Sequence, residues 1–242
     1  MQKIYVKIGS RELLNMKVKL ISYQKPSREL YDEGLYDIQE LVAYCARVSN
    51  PSNQFNTQTA DKLVKYLVKH KHWSPLEMVS ICLEITTTRD IARQILRHRS
   101  FSFQEFSQRY ADPTKDLNFV LREARLQDSS NRQNSESLDL NNDAHRQLEY
   151  QWQQMQTRVT TEAKNAYEWA ISKGIAKEQA RSVLPEGLIE SRLYMNGTLR
   201  SWIHYIQLRS ANGTQKEHME IAKVCASVIA EIFPLTTQLI SE

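Results

Sequence analysis

Between Arg97 and Tyr110 the chain reads RHRSFSFQEFSQRY, with three arginines, a histidine, four aromatic rings and three serines in fourteen residues, and Glu105 among them. Guanidinium groups stay cationic at any working pH and present planar forks of donors, so phosphates and polarisable ring systems are their natural ligands. If the helix RDIARQILRHR runs through Arg99, Gln94, Arg97 and His98 share one side. Arg99 then points elsewhere, because two helical steps turn it through roughly 200°. Beyond it, Phe101, Phe103, Glu105, Ser107 and Arg109 have one parity, so an extended segment faces them one way. Ser107 and Arg109 would then form a donor pair suited to a phosphate, with Glu105 accepting from a sugar hydroxyl or ring N–H, or orienting the arginines.

The motif alone leaves three readings open: a solvated basic helix end, an RNA-binding patch of stacking aromatics and phosphate-gripping arginines, and a site for small phosphorylated ligands. Ser107 as a nucleophile would need a positioned base, from His72 or His98, and no nearby sequence resembles a nucleophile elbow; a ligand role suits it better. Three widely spaced cysteines, Cys45, Cys82 and Cys225, argue for a reducing compartment and against a disulfide framework, and no Cys/His spacing suggests a metal. Cys45 is two residues from Arg47, while Cys82 and Cys225 sit in apolar segments and read as buried free thiols.

The totals set the frame for these residues. A chain of 242 residues, 41% hydrophobic and 25% charged, suits a globular protein with a substantial core. A net charge of +4 counts against an extended nucleic-acid groove. The start MQKIYVKIGS lacks the apolar run of a signal peptide, and no segment approaches membrane-spanning length, so a cytoplasmic protein without a membrane partner is expected.

Several elements must position the motif. MKVKLISY (Met16–Tyr23) alternates like a half-buried strand, and MVSICLEITT does so through Val79, Ile81, Leu83 and Ile85. Ile38, Leu41, Val42 and Cys45 fall at helical spacing, as do Leu63, Tyr66, Leu67 and His70. Thr87 and Asp90 resemble a capping box opening the helix that enters the motif. A polar tract at about 127–147 reads as an exposed loop inserted in a single domain covering 1–242. A long helix follows, with Leu148, Trp152, Met155, Val159, Ala163, Ala166 and Ala170 in a stripe that packs within the chain or between subunits, and Gly174 as its stop. Two more helices are expected, roughly Ser191–Leu208 and Gln215–Ile232. The fold class is α+β, helix-rich, with a modest, mainly antiparallel sheet.

RHRSFSFQEFS also fits the RHR-(seven residues)-S signature of the flavin-dependent thymidylate synthases, with Arg97, His98, Arg99 and Ser107 at its fixed positions. ARVSN, KHWSPLEM, ARSVLP and NGTLRSWIHYIQLR resemble further blocks in the family's order, so the resemblance covers most of the chain outside the polar tract. It implies the thymidylate synthase-complementing fold, a homotetramer with sites shared between subunits, and methylation of dUMP to dTMP in dTMP biosynthesis. The one-carbon unit would come from 5,10-methylenetetrahydrofolate and the hydride from FAD reduced by NADPH. Carried over position by position, Ser74, Arg97, His98, Arg99, Glu105, Thr198, Leu199, Arg200 and His204 resemble FAD contacts. Gln94, Ile95, Leu96, Arg97, Glu105, Phe106, Ser107, Gln108, Arg109, Arg181 and Arg209 resemble dUMP contacts, and Arg209 the catalytic arginine that polarises the uracil. No metal is implied. Thr198 stands where many members carry Asn, and Met78 where His is frequent. A nucleotide- or RNA-binding module is the alternative. Leu199, Trp202 and Ile206 also fit simple core packing, and Arg209 lies roughly 180° around an ideal helix from Arg200. Either that helix ends before Arg209, or the two arginines serve different ligands or subunits.

Overall fold

The computed structural model describes residues 17–237; Met16 of the expected first strand lies outside the described residues. The main sheet has four antiparallel strands, β1 (Lys17–Tyr23), β2 (Ser80–Thr88), β3 (Ser102–Glu105) and, third in spatial order, the strand Glu190–Thr198, in the order β1, β2, Glu190–Thr198, β3. Between β3 and Glu190–Thr198 a two-stranded hairpin pairs β4 (Arg125–Gln127) with β5 (Ser135–Ser137), so Glu190–Thr198 is β6.

Alternation places Ile81, Leu83 and Ile85 of β2 on the same face as Gly197, Met195 and Leu193 of β6, each directly opposite its partner. Phe103 joins them across from Met195. In β1 the alternation does not run through: a bulge between Leu20 and Ser22 resets the parity, so Val18, Leu20 and Tyr23 pack on the core while Ile21 is exposed. The helices are α1 (Arg28–Asp32), α2 (Ile38–Ala46), α3 (Ala60–Lys69), α4 (Arg89–Ile95), α5 (Pro113–Asp116), α6 (Asp143–Ser172), α7 (Lys177–Ala180), α8 (Leu199–Ser210) and α9 (Lys216–Ala230). Of these, α6 and α7 pack in a second, smaller cluster around Tyr167 and Ile189, while α2, α3, α4, α8 and α9 cover the apolar face of the sheet. The core beneath them takes Ile38 and Val42 from α2, Val64 and Leu67 from α3, Trp202 and Ile206 from α8, and Ile221 and Ile229 from α9. Trp202 is fully buried, and its indole N–H donates to the Ile81 carbonyl at 3.0 Å, the partner such a ring needs.

Four sequence expectations change. Ser191–Thr198 is a central strand rather than the start of a helix, because its inward positions alternate Ser191, Leu193, Met195 and Gly197, two of them too small to register as apolar. Tyr66 and His70 are exposed and lie ring to ring at 4.1 Å, and α3 buries Ala60, Val64 and Leu67 instead. The cap of α4 is Thr88, whose hydroxyl donates to Asp90 at 2.6 Å, while Thr87 is buried with its hydroxyl unpartnered among the described residues, so no Thr87–Asp90 capping box forms. The polar tract holds the turn and second strand of the β4–β5 hairpin and the first turn of α6 rather than an open loop; Asp128 accepts from the backbone of Ser130 and Asn131, a local bonding pattern that needs no apolar periodicity.

α6 ends as expected. Gly174 has φ +77°, its N–H bonds to Ile171, and Ile175 N–H reaches back to Ala170 at 3.0 Å, a Schellman closure that favours glycine at the left-handed position. Its apolar stripe divides, however. Ala163 and Ala170 are buried beside Gln156, Thr160 and Tyr167, whereas Leu148, Trp152, Met155, Val159 and Ala166 are exposed.

Candidate active site

The arginine motif is a turn and not a helix end. α4 stops at Ile95, and the N–H groups of Arg97, His98 and Phe101 bond three residues back, to Gln94, Ile95 and His98, at 3.4, 3.0 and 3.3 Å. This tightening swings the chain into β3, so Gln94, Arg97 and His98 do not form a shared helical face. Arg97 and Arg99 project to the surface with no side-chain partner among the described residues, while His98 turns inward.

There His98 meets Arg209. The Nε of Arg209 donates to His98 Nε2 at 2.9 Å, which requires that the imidazole be neutral and carry its proton on Nδ1. Burial, and then the neighbouring Arg209 charge, lower the His98 pKa from 6.5 to about 4. Among the described residues the two Nη groups of Arg209 have no partner, so most of its fork is free. Arg200 and Arg209 both lie on α8, and they address different neighbours: Arg200 pairs with Glu77.

The first turns of α8 gather one set of candidates. His204 meets Trp73 edge-on at 4.4 Å, beside exposed Ser74. Thr198 caps the helix by accepting from Ser201 N–H at 3.3 Å, and Ser201 Oγ donates to the Ser100 carbonyl of the arginine turn at 3.2 Å. The HWSP turn, α8 and the RHRS turn therefore converge. Leu199 and Ile95 are both 0% exposed in the core, so their side chains are closed to any ligand, and the Leu199 N–H is already committed to Val79. Leu96 is half-buried. His72 is exposed near Tyr66 and His70, with ring separations of 6.0 and 6.4 Å.

Glu105 orders arginines, but different ones from those in its own motif. Its carboxylate accepts from Ser191 Oγ at 2.7 Å, and Arg89 and Arg93 approach it at 3.5 and 3.9 Å. The extended face ends there. Ser107–Tyr110 is a turn in which the Arg109 N–H bonds to Ser107 Oγ at 3.4 Å. α7 holds this turn: Lys177 reaches the Tyr110 carbonyl at 2.9 Å and Glu178 lies 3.6 Å from Arg109, with Arg181 directly following the helix. The turn thus brings Ser107, Arg109 and Arg181 into one region, though not by the parity expected. Phe106 donates its N–H to Arg192, and Gln108 is buried with its Nε2 unpartnered among the described residues. No hydrogen bond or ion pair among the described residues joins this group to the one around Arg209. A surface cavity of about 380 Å³ is lined by Leu140, Arg146, Glu149, Tyr150 and Gln153, none of them a candidate.

Two aromatic rings of the motif serve the core. Phe101 packs on Trp202 at 4.9 Å and Phe103 joins the same cluster, Phe106 is half-buried outside it, and Tyr110, 77% exposed, is the surface ring. That leaves little stacking surface for bases. The thiols are equally occupied elsewhere. Burial raises the pKa of Cys45, Cys82 and Cys225 alike, the opposite of what a thiolate nucleophile needs. Arg47 does not activate Cys45, since its guanidinium is bound to Asn56 and Thr59. Cys225 is buried as expected, whereas Cys82 is only half-buried, on the face of β2 opposite the apolar one.

Sequence reasoning missed Arg89 and Ser191, which hold Glu105, and it missed Gln215 and His218, which hold Gln94. Gln94 Nε2 donates to Gln215 Oε1 at 2.7 Å, and His218 Nδ1 lies 3.2 Å from Gln94 Oε1. Each pair is long-range, and no local spacing signals it.

The model of the family described as thymidylate synthase complementing protein matches residues 33–235. A flavin-dependent thymidylate synthase of Synechocystis is 48% identical over 219 residues, covering 90% of this chain and 96% of that protein. A protein of Paramecium bursaria Chlorella virus 1, named "Probable flavin-dependent thymidylate synthase", is 46% identical over the same extent. In fold, the chain is similar to the UMP/dUMP methylase PolB from Streptomyces cacaoi, solved with 5-Br dUMP, at a TM-score of 0.74 and 23% identity over 94% of this chain and 95% of that one. The chain belongs to the thymidylate synthase complementing protein family, among the flavin-dependent thymidylate synthases.

Proposed function

We propose that this chain methylates dUMP reductively to dTMP, taking the one-carbon unit from 5,10-methylenetetrahydrofolate and using FAD, reduced by NADPH, as hydride carrier. The observation that carries this reading is Arg209, fixed through Nε by a neutral His98 with the rest of its fork uncommitted. A guanidinium so placed stabilises negative charge developing on a uracil ring and favours loss of the N3 proton. Gln94, Arg97 and Arg209 would then hold the base side of the nucleotide, with Ser107, Arg109 and Arg181 its phosphate. Binding there replaces the exposed Arg109–Glu178 contact, which costs little.

The residues fit a flavin dinucleotide by their donor chemistry. Arg97 and Arg99 are exposed and unpaired among the described residues, and Ser74, Thr198, Arg200 and His204 sit around the same α8 terminus. When bound, FAD supplies the hydride. The absence of any thiol with a lowered pKa suits a route without a cysteine nucleophile. The homotetramer with shared sites belongs to the same proposal, supported by the exposed apolar stripe of α6 and by the separation of the Arg109–Arg181 and Arg209 groups. A cytoplasmic location is supported by the three free cysteines; among the described residues no helix is long and apolar enough to cross a membrane.

Anaerobic absorbance spectroscopy tests the proposal. NADPH should bleach the bound flavin, and dUMP with methylenetetrahydrofolate should restore its colour as dTMP forms. Purified protein that never takes up FAD would sink it.

A further inference from the structure

Behind Gln94 lies a largely buried run of polar side chains whose hydrogen-bond directions are all set by one carboxylate. Glu217, 2% exposed, is paired with Arg125 and with Arg122 at 3.4 Å, so it only accepts. The group of Gln215 that lies 2.9 Å from Glu217 must therefore be its NH₂. Its oxygen then faces Gln94, which must donate with Nε2 across 2.7 Å. That turns the Gln94 oxygen to His218, whose Nδ1 must carry the proton over 3.2 Å. Nε2 of His218 is left as an acceptor, and the Tyr205 hydroxyl donates to it at 3.1 Å. His218 is 0% exposed, and burial, with smaller effects of Arg209 and His98, keeps its ring neutral, with a pKa lowered to about 3.

We propose that His218, Gln215 and Glu217 are positioning residues that lock the Gln94 amide in one of its two isosteric orientations, and so decide which hydrogen-bonding group Gln94 offers the nucleotide. The locked amide keeps one N–H on Nε2 and one lone pair on Oε1 for the ligand. An amide free to flip would present these two groups exchanged about half the time. The relay starts at the Arg122–Arg125–Glu217 ion pairs and ends beside His98, whose ring lies 4.9 Å from that of Tyr205. It therefore backs the same wall that holds Arg209. This inference rests on the proposal that Gln94 contacts dUMP.

Two amide substitutions separate positioning from mere support. The side-chain nitrogen of Asn stands near His Nδ1 as a donor, and the side-chain oxygen of Gln near His Nε2 as an acceptor. His218→Asn keeps the donor to Gln94 and loses the Tyr205 contact, whereas His218→Gln does the reverse. The expected result is a dUMP affinity within about threefold of wild type for His218→Asn and weakened about tenfold for His218→Gln, the effect of one lost hydrogen bond. Flavin content should be equal in both. Affinities that fall together, in step with the melting temperatures, would overturn the relay. Nitrogen-15 NMR of the imidazoles provides a check that needs no nucleotide: the His218 resonances should report a neutral ring protonated on Nδ1, and protonation on Nε2 would also overturn it. If wild-type protein shows the Nδ1–H tautomer yet binds no dUMP, the assignment of Gln94 and the proposed function fail while the relay's geometry stands.

Discussion

A lysine at position 209 would keep the charge and lose the fork. Its ammonium cannot both donate to His98 along the Nε direction and present two coplanar N–H groups to a ring, so Arg209→Lys should retain flavin while turnover falls by about 100-fold or more. The flavin spectrum and dTMP formation are the measurements, and near-normal turnover would remove Arg209 from the catalytic role. The same neighbourhood sets a pH dependence. His98 and His218 titrate at about 4 and about 3 in the folded chain, against an ordinary 6.5. Below 6.5 the unfolded chain takes up protons that the folded chain refuses, so stability rises with pH in this window. Their contribution is complete above about pH 6.5 and is lost progressively as the pH falls towards the folded-state values. The titratable groups facing His218 are Arg209, Tyr205 and His98, of which Arg209 and His98 disfavour a second proton on the ring, and Gln94 faces it as a neutral amide. Thermal unfolding between pH 7.5 and 4.5 should show the decline, and His218→Asn, with no proton to gain, should show a shallower one. An equal slope in the variant would place the dependence elsewhere.

The elements were legible where burial followed a simple period and obscure where it did not. β2, with Ile81, Leu83 and Ile85 at every second position, reads directly from the sequence. β6 does not, because its inward row includes Ser191 and Gly197, and the helix that follows extends a plausible helical reading backwards. Gly197 is small for a reason that lies across the sheet. A Cβ built there falls 2.4 Å from Cδ1 of Phe101, on the ring that packs against Trp202. Gly197→Ala should therefore displace Phe101 and the RHRS turn, destabilising the protein by about 1–3 kcal/mol in denaturant unfolding. Adding Phe101→Leu should recover part of that loss; no recovery would mean that the clash is not the cause. The site shows the same division. RHR and Ser107 were legible as a motif, because the motif is local. That Glu105 serves Arg89 and Arg93, and that Gln94 is held by Gln215 and His218, depend on contacts 12 to 124 residues apart along the chain, which no local spacing records.

At the scale of the molecule the unresolved tension is α6, which has two apolar faces and one subunit to bury them in. Leu148, Trp152, Met155, Val159, Ala166 and Trp169 recur at steps of three, four and seven and stay exposed, with Glu162 between them. That spacing is the seam of a helix that meets another helix, and so long an apolar surface is rare on a monomer. A second copy of the chain is the occupant that the proposed homotetramer supplies. Val159→Glu places a charge in the seam without touching the subunit's own core, so it should leave the fold intact and shift sedimentation to smaller species. An unchanged sedimentation profile would move the interface elsewhere. Whether sites are shared is a separate matter, and mixing decides it. Arg209→Lys and Arg181→Ala should each be inactive alone. If Arg209 and Arg181 of one site come from different subunits, random reassembly of the two variants restores both arginines in about a quarter of the sites. If they come from the same subunit, every site lacks one of the two and the mixture stays inactive.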